Sequence, residues 1–140
     1  MATCLWLTGR TGAGKSTIAR AVAEELRRAG VPLVLVDDDE RGHLAVGTEP
    51  MVWLAKALTD AGVTTIVAAD LPDRDDRDAV REAVTRFVEV FVDGASAEDD
   101  GYEEPFAPEL RVPTHDRESV ASIALVVSWL EHEGVLETKE

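Results

Sequence analysis

Apolar positions along the chain follow two rhythms. TCLWL at residues 3–7 and LVLVD at 33–37 are short apolar runs, compact enough for strands buried on both faces. VTTIVAA at 63–69, FVEVFVD at 87–93 and a short LRV at 110–112 continue that series. Between these runs the period becomes that of a helix. Ile18, Val22, Leu26 and Ala29 share one face and stop at Gly30, a natural helix end. A second helix is predicted from Glu49 to Ala61, with Leu54 and Leu58 four apart and Gly62 behind it. Ala79, Val80, Ala83 and Val84 mark a third helical face that leads to Phe87. A last helix, from about Arg117 to His132, carries Val120, Ile123, Ala124, Val127 and Leu130 on one side.

Strand alternating with helix predicts an α/β fold: a five-stranded parallel sheet flanked by helices on both faces. Right-handed crossovers collect the C-terminal ends of the strands at one edge, where ligands bind in such sheets. Thr8-Gly9, Asp37 and Asp70 each follow a strand, so all three are expected at that edge. The sequence has no internal repeat and no low-complexity segment, and residues 1–140 are expected to form a single domain.

The stretch between the first strand and the first helix reads GRTGAGKS, Gly9 to Ser16. Its spacing matches the phosphate-binding loop, which gives the fold class a name, the P-loop nucleoside-triphosphate-binding fold. Glycines let the backbone curl so that successive N–H groups converge on phosphate oxygens, and the following helix adds its positive end. Lys15 reaches the terminal phosphates as a point charge, and Ser16 supplies a hydroxyl to Mg²⁺. Gly9, Arg10, Thr11, Gly12, Ala13, Gly14, Lys15, Ser16 and Thr17 are therefore the expected nucleotide-binding residues.

Charge alters this picture. The net charge of −14 disfavours nucleic acid and anionic membrane as partners. It also repels nucleotide phosphates, so the loop must supply donors that outweigh the field of the whole chain. Composition is that of a globular protein, 45% apolar and 30% charged, and no apolar run approaches the roughly 20 residues of a membrane helix. The opening MATCLWLTG has no basic region, and a cleaved leader there would remove the loop, so a cytoplasmic location is expected. The single cysteine, Cys4, fits a reducing compartment and a buried strand position.

Acidic residues after the second strand carry the next candidate chemistry. In VDDDERGHL, residues 36–44, one carboxylate is placed to hold a water on Mg²⁺ and another to accept a proton from an acceptor hydroxyl. Arg41 is placed to pair with an anionic acceptor, with a plain polar turn as the competing reading. His43 is given a structural or solvent role, and Asp70 an outer role at the metal. In ADLPDRDDRDAVRE, residues 69–82, Arg74, Arg77 and Arg81 fall on one helical face and alternate with aspartates. A salt-bridged surface is the competing reading there. The run Glu98 to Glu104 is expected to be a solvated loop, and Trp53 to pack in the core.

With these residues in hand, the chain resembles the adenylylsulfate kinases, which phosphorylate the 3′-hydroxyl of adenosine 5′-phosphosulfate with Mg-ATP. WLTGRTGAGKSTIA, VDDDERGHL, LAKALTDAGVTTIVAADLPDRDDRDAVRE, FVEVFVD and GYEEPFAPELRV carry the likeness nearly end to end. The resemblance implies a kinase moving the γ-phosphate of ATP to a hydroxyl of a small molecule, adenylylsulfate or another acceptor. It makes Lys15, Asp37 and Asp39 the catalytic candidates and Ser16 with Asp37 the Mg²⁺ ligands. Arg41, Leu71, Pro72 and Arg74 lie on the acceptor side.

Departures from the family are as informative. Asp38 stands where the family's acid-rich turn has a glycine, and Arg41 comes one residue early. Only AVGT lies between Leu44 and Glu49, where the family has a longer stretch with an aromatic and an Arg/Asn pair for the acceptor. Only GASAEDD lies between Asp93 and Gly101, where the family has a mobile lid with basic residues and a phenylalanine. Phe106 and Trp53 are the aromatic side chains left to stack on an acceptor. Two other readings stay open: a nucleotide-binding regulatory or partner protein without transfer, and a simple ATPase whose acceptor is water. The apolar surface uncovered by the two short segments leaves room for a homodimer.

Overall fold

The computed structural model of the chain describes residues 2–10, 12–37, 48–69, 73–94, 101–114 and 119–134. Its elements alternate as expected: β1 (Cys4–Thr8), α1 (Lys15–Arg28), β2 (Leu33–Asp37), α2 (Thr48–Asp60), β3 (Thr64–Ala68), α3 (Arg74–Ala83), β4 (Phe87–Asp93), β5 (Leu110–Pro113) and α4 (Ser119–His132). The strands form one five-stranded sheet in the order β2-β3-β1-β4-β5. Every pairing is parallel. β1 is therefore central, and Thr8, Asp37 and Asp93 end their strands at a common edge.

Side-chain alternation along the strands builds a core on each face of the sheet. Leu5 and Leu7 point to one side with Ile66 and Val90, and α1 and α4 cover them through Ile18, Val22, Leu26, Val126 and Leu130. Cys4 and Trp6 point to the other side with Val67 and Phe87, under Met51 and Ala55 of α2 and Val80 of α3. A strand buried on both faces has no polar side to show, which is why these segments read as unbroken apolar runs.

Two packing expectations fail, one for the seam of α4 and one for Trp53. The buried seam of α4 is Ser122, Val126 and Leu130, whereas Ala124 is exposed and Ile123 and Val127 are only half-buried. SVASIALVVSWL is apolar on most sides, so several phases of the helix fit the pattern equally well. In α2 the buried positions are Met51 and Ala55, with Leu54 and Leu58 half-buried. Trp53 is 71% exposed rather than in the core, because two residues on from Met51 the helix has turned by about 200°.

Candidate active site

The phosphate loop leaves the sheet at its centre. After Thr8 the chain curls back and enters α1 through Gly14, whose φ of 105° is a left-handed conformation that only glycine adopts without strain. As the N-cap is a glycine, no side chain of its own competes for the first N–H groups of the helix. Lys15 is buried, and its Nζ donates to the carbonyls of Gly9 at 2.7 Å and Arg10 at 3.2 Å. The ammonium thus lies over the entry of the loop. The far side is braced by the ends of β4 and β5: Thr114 Oγ1 donates to the Ala13 carbonyl at 2.8 Å. Gly94 approaches so closely that a Cβ there would lie 2.6 Å from Thr114 Oγ1 and 2.8 Å from the Ala13 backbone.

Asp37, the last residue of β2, is 2% exposed and faces the start of α1. Ser16 Oγ donates to its Oδ1 at 2.8 Å, while Arg20 holds its Oδ2 through Nε at 3.0 Å and Nη2 at 2.9 Å. A carboxylate this deep is costly unless charge and hydrogen bonds compensate it. Arg20, one turn along α1 from Ser16, supplies both. A hydroxyl and a carboxylate side by side beneath the phosphate loop are hard oxygen donors. They suit Mg²⁺, which in phosphate sites takes only one or two protein oxygens beside the phosphates and water.

On the other side of the sheet edge, Arg74 opens α3. Its backbone N–H donates to Glu103 Oε1 at 3.1 Å, and its guanidinium donates to the Glu104 carbonyl at 3.0 Å and pairs with Glu103 Oε2 at 3.3 Å. The same guanidinium lies 3.9 Å over the ring of Phe106, which is 86% exposed. Arg77 is different in kind. It is 1% exposed, pairs with Glu89 at 3.2 Å, and donates to the Glu103 carbonyl. Arg81 joins Glu89 at 3.2 Å and Glu109 at 2.9 Å. The arginine face of α3 is thus largely a salt-bridged one, sealed against β4, with Arg74 at its open end.

Tyr102 connects the two halves. Its hydroxyl shares a buried 2.7 Å hydrogen bond with Thr8 Oγ1, and its ring stacks on Phe91 with centroids 6.2 Å apart. Arg10 and Arg77 lie 5.7 Å and 5.0 Å from the ring centroid. Burial raises the Tyr102 phenol above its ordinary range, against the lowering effect of the Thr8 bond and of Arg77.

Of the expected site residues, Gly9, Arg10, Gly12, Ala13, Gly14, Lys15, Ser16 and Asp37 come together at the edge of the sheet. Thr17 is exposed on α1. Among the described residues, Arg74 is linked to the loop by way of the segment that carries Tyr102. Thr11, Asp39, Arg41, Leu71 and Pro72 lie outside the described residues, as do His43 and Asp70. Sequence reading missed Arg20, Gly94, Tyr102 and Thr114. Of these only Arg20 left a signal, its spacing of four from Ser16 on one helical face.

Comparison with known proteins gives a consistent answer. The family model described as Adenylylsulphate kinase matches residues 1–99. The adenylyl-sulfate kinase of Rippkaea orientalis is 32% identical over 168 aligned positions, covering 94% of this chain and 93% of that protein. That alignment is longer than the 140 residues of the chain, so the relative carries segments with no counterpart here. Among solved structures, the hexameric APS kinase from Thiobacillus denitrificans is 32% identical with a TM-score of 0.82, covering 99% of this chain and 30% of that one. The Mycobacterium tuberculosis APS kinase in complex with AMPPNP and APS shares the fold, with a TM-score of 0.80 at 23% identity over 93% of this chain and 98% of that one. By sequence over most of its length and by the fold built around its phosphate loop, this chain belongs to the adenylylsulphate kinase family of P-loop kinases.

Proposed function

We propose that the chain transfers the γ-phosphate of Mg-ATP to a hydroxyl of a small molecule, with adenylylsulfate as the first acceptor to consider. The observation that carries this reading is the Ser16–Asp37 pair set at the start of α1, beside the buried Lys15. A hydroxyl and a carboxylate there are the oxygen donors that an Mg-nucleotide needs before its terminal phosphate can move.

In this reading the backbone N–H groups of the loop and of the first turn of α1 hold the phosphates. Lys15 leaves the Gly9 and Arg10 carbonyls to balance charge on the transferring group. Ser16 and Asp37 hold Mg²⁺, which when bound neutralises phosphate charge. Arg20 keeps the Asp37 carboxylate turned towards Ser16. Asp39 orients the acceptor hydroxyl and takes its proton. Arg41, Leu71 and Pro72 contribute to the acceptor side, and Arg74 with the Phe106 ring forms its outer wall. The relative solved with AMPPNP and APS supports ATP and adenylylsulfate as the pair to test.

A second reading keeps the reaction and changes the acceptor. The Arg74 guanidinium is already engaged by Glu103 and Glu104, which favours a hydroxyl compound less anionic than adenylylsulfate. Substitution tests the shared part of both readings. Asp37→Asn and Asp39→Asn should each abolish transfer while ATP binding persists. Full transfer in both variants removes these carboxylates from the mechanism.

A further inference from the structure

The carbonyls that receive Lys15 belong to Gly9 and Arg10, and the residue before them, Thr8, is fixed from outside the loop. Its hydroxyl is buried and meets Tyr102, a residue 94 positions further along the chain, at 2.7 Å. The Tyr102 ring fills the space between Phe91 of β4 and the guanidinium groups of Arg10 and Arg77. Arg77 holds the next residue, Glu103, by its carbonyl and is itself tied to Glu89 of β4. One side chain thus meets residues on either side of Gly9, and the backbone of the residue that follows it is pinned to the core through a buried arginine.

We infer that Tyr102 is a positioning residue for the nucleotide site: it holds the entry of the phosphate loop, Thr8 to Arg10, in the shape that receives the triphosphate. This rests on reading the loop as the Mg-ATP site. The physical reason lies in how such a loop works. Its donors are useful only if they converge before the phosphate arrives, and a glycine-rich segment has little intrinsic preference for that shape. Gly14 and the helix fix the exit of the loop. Its entry follows directly on β1, where Thr8 is still paired with Phe91 of β4, and the Thr8–Tyr102 bond adds a side-chain constraint at that last strand residue. The bond is buried, so water does not replace it when one partner is removed.

Equilibrium binding of Mg-ATP to wild type, Tyr102→Phe, Thr8→Val, the double variant and Thr8→Ser tests the inference. Tyr102→Phe keeps the ring and its stacking, and Thr8→Val keeps the shape of the side chain. Each single loss of the hydroxyl should raise Kd about tenfold. The double variant should be no weaker than either single one, because the same bond is removed. Thr8→Ser, which keeps the hydroxyl, should bind like wild type. Unchanged Kd in the single variants overturns the inference, even if their thermal stability falls, since the bond would then be merely structural. Losses that multiply in the double variant also overturn it. A Lys15→Ala control separates this from the underlying reading: if wild type binds no better than that control, the loop is not the nucleotide site and both fall.

Discussion

Asp37 and Cys4 show how far burial decides what a single residue can do. Both end up in the interior, but Asp37 has Arg20 and Ser16 against its oxygens, whereas Cys4 meets apolar neighbours on the Trp6 side of the sheet. Burial pushes the Cys4 thiol up from 9.0 to about 12. The unfolded chain therefore loses this proton first as pH rises. Stability is untouched by the thiol below pH 9 and falls between there and about 12. At pH 9 the native protein should resist alkylation by iodoacetamide while the urea-unfolded chain reacts quickly. Equal rates would mean that Cys4 is reachable in the folded state. Phe106 is the opposite case, an aromatic left in the open and backed by a guanidinium. If it forms the acceptor wall, Phe106→Ala should raise KM for an aromatic acceptor by about 5- to 150-fold, which corresponds to ~1–3 kcal/mol of stacking. KM for ATP should not move, and steady-state kinetics with each substrate varied in turn reads both.

Between elements, the decisive contacts are those that cross from one segment to another. Glu89 of β4 receives two arginines of α3, and Glu109 closes the cluster. Removing one partner from such a buried set leaves an uncompensated charge, so Glu89→Ala should cost about 3–5 kcal/mol in urea unfolding. Asp60→Asn breaks only the exposed pair with Lys56 and should change stability by at most ~1 kcal/mol. Similar losses in the two variants would show that the α3 cluster is solvated after all. Gly94 makes a related prediction for the loop. Gly94→Ala puts a methyl group against the Ala13 backbone, so it should weaken Mg-ATP binding and lower stability by ~1–3 kcal/mol. Calorimetric binding and urea unfolding measure the two. Elements were legible from the sequence because each strand is an apolar run and most helices repeat an apolar face; FVEVFVD was read with its observed ends. The phosphate loop was legible because its residues are contiguous. Ser16 with Asp37 was legible through the family resemblance, whereas Glu89 with Arg77 and Thr8 with Tyr102 were not, since each of those pairs depends on how segments distant in the chain pack together.

At the scale of the whole molecule, a net charge of −14 surrounds a site for an anion. The fold resolves the conflict locally, by bringing Lys15, Arg10 and the start of α1 to the end of the central strand. Buried acid is compensated where it stands, Asp37 by Arg20 and Glu89 by Arg77. On the other side of that edge stands Arg74, at the open end of the α3 arginine cluster. The chain builds this edge with fewer aligned residues than its relative from Rippkaea orientalis, whose alignment runs past the chain's own length. The most direct test of the account is transfer of labelled γ-phosphate from Mg-ATP to adenylylsulfate and to a panel of small hydroxyl compounds, with free phosphate counted and Lys15→Ala as the blank. Label should appear on at least one hydroxyl acceptor and be lost in the blank. Label recovered only as free phosphate, or no ATP consumed at all, would contradict it.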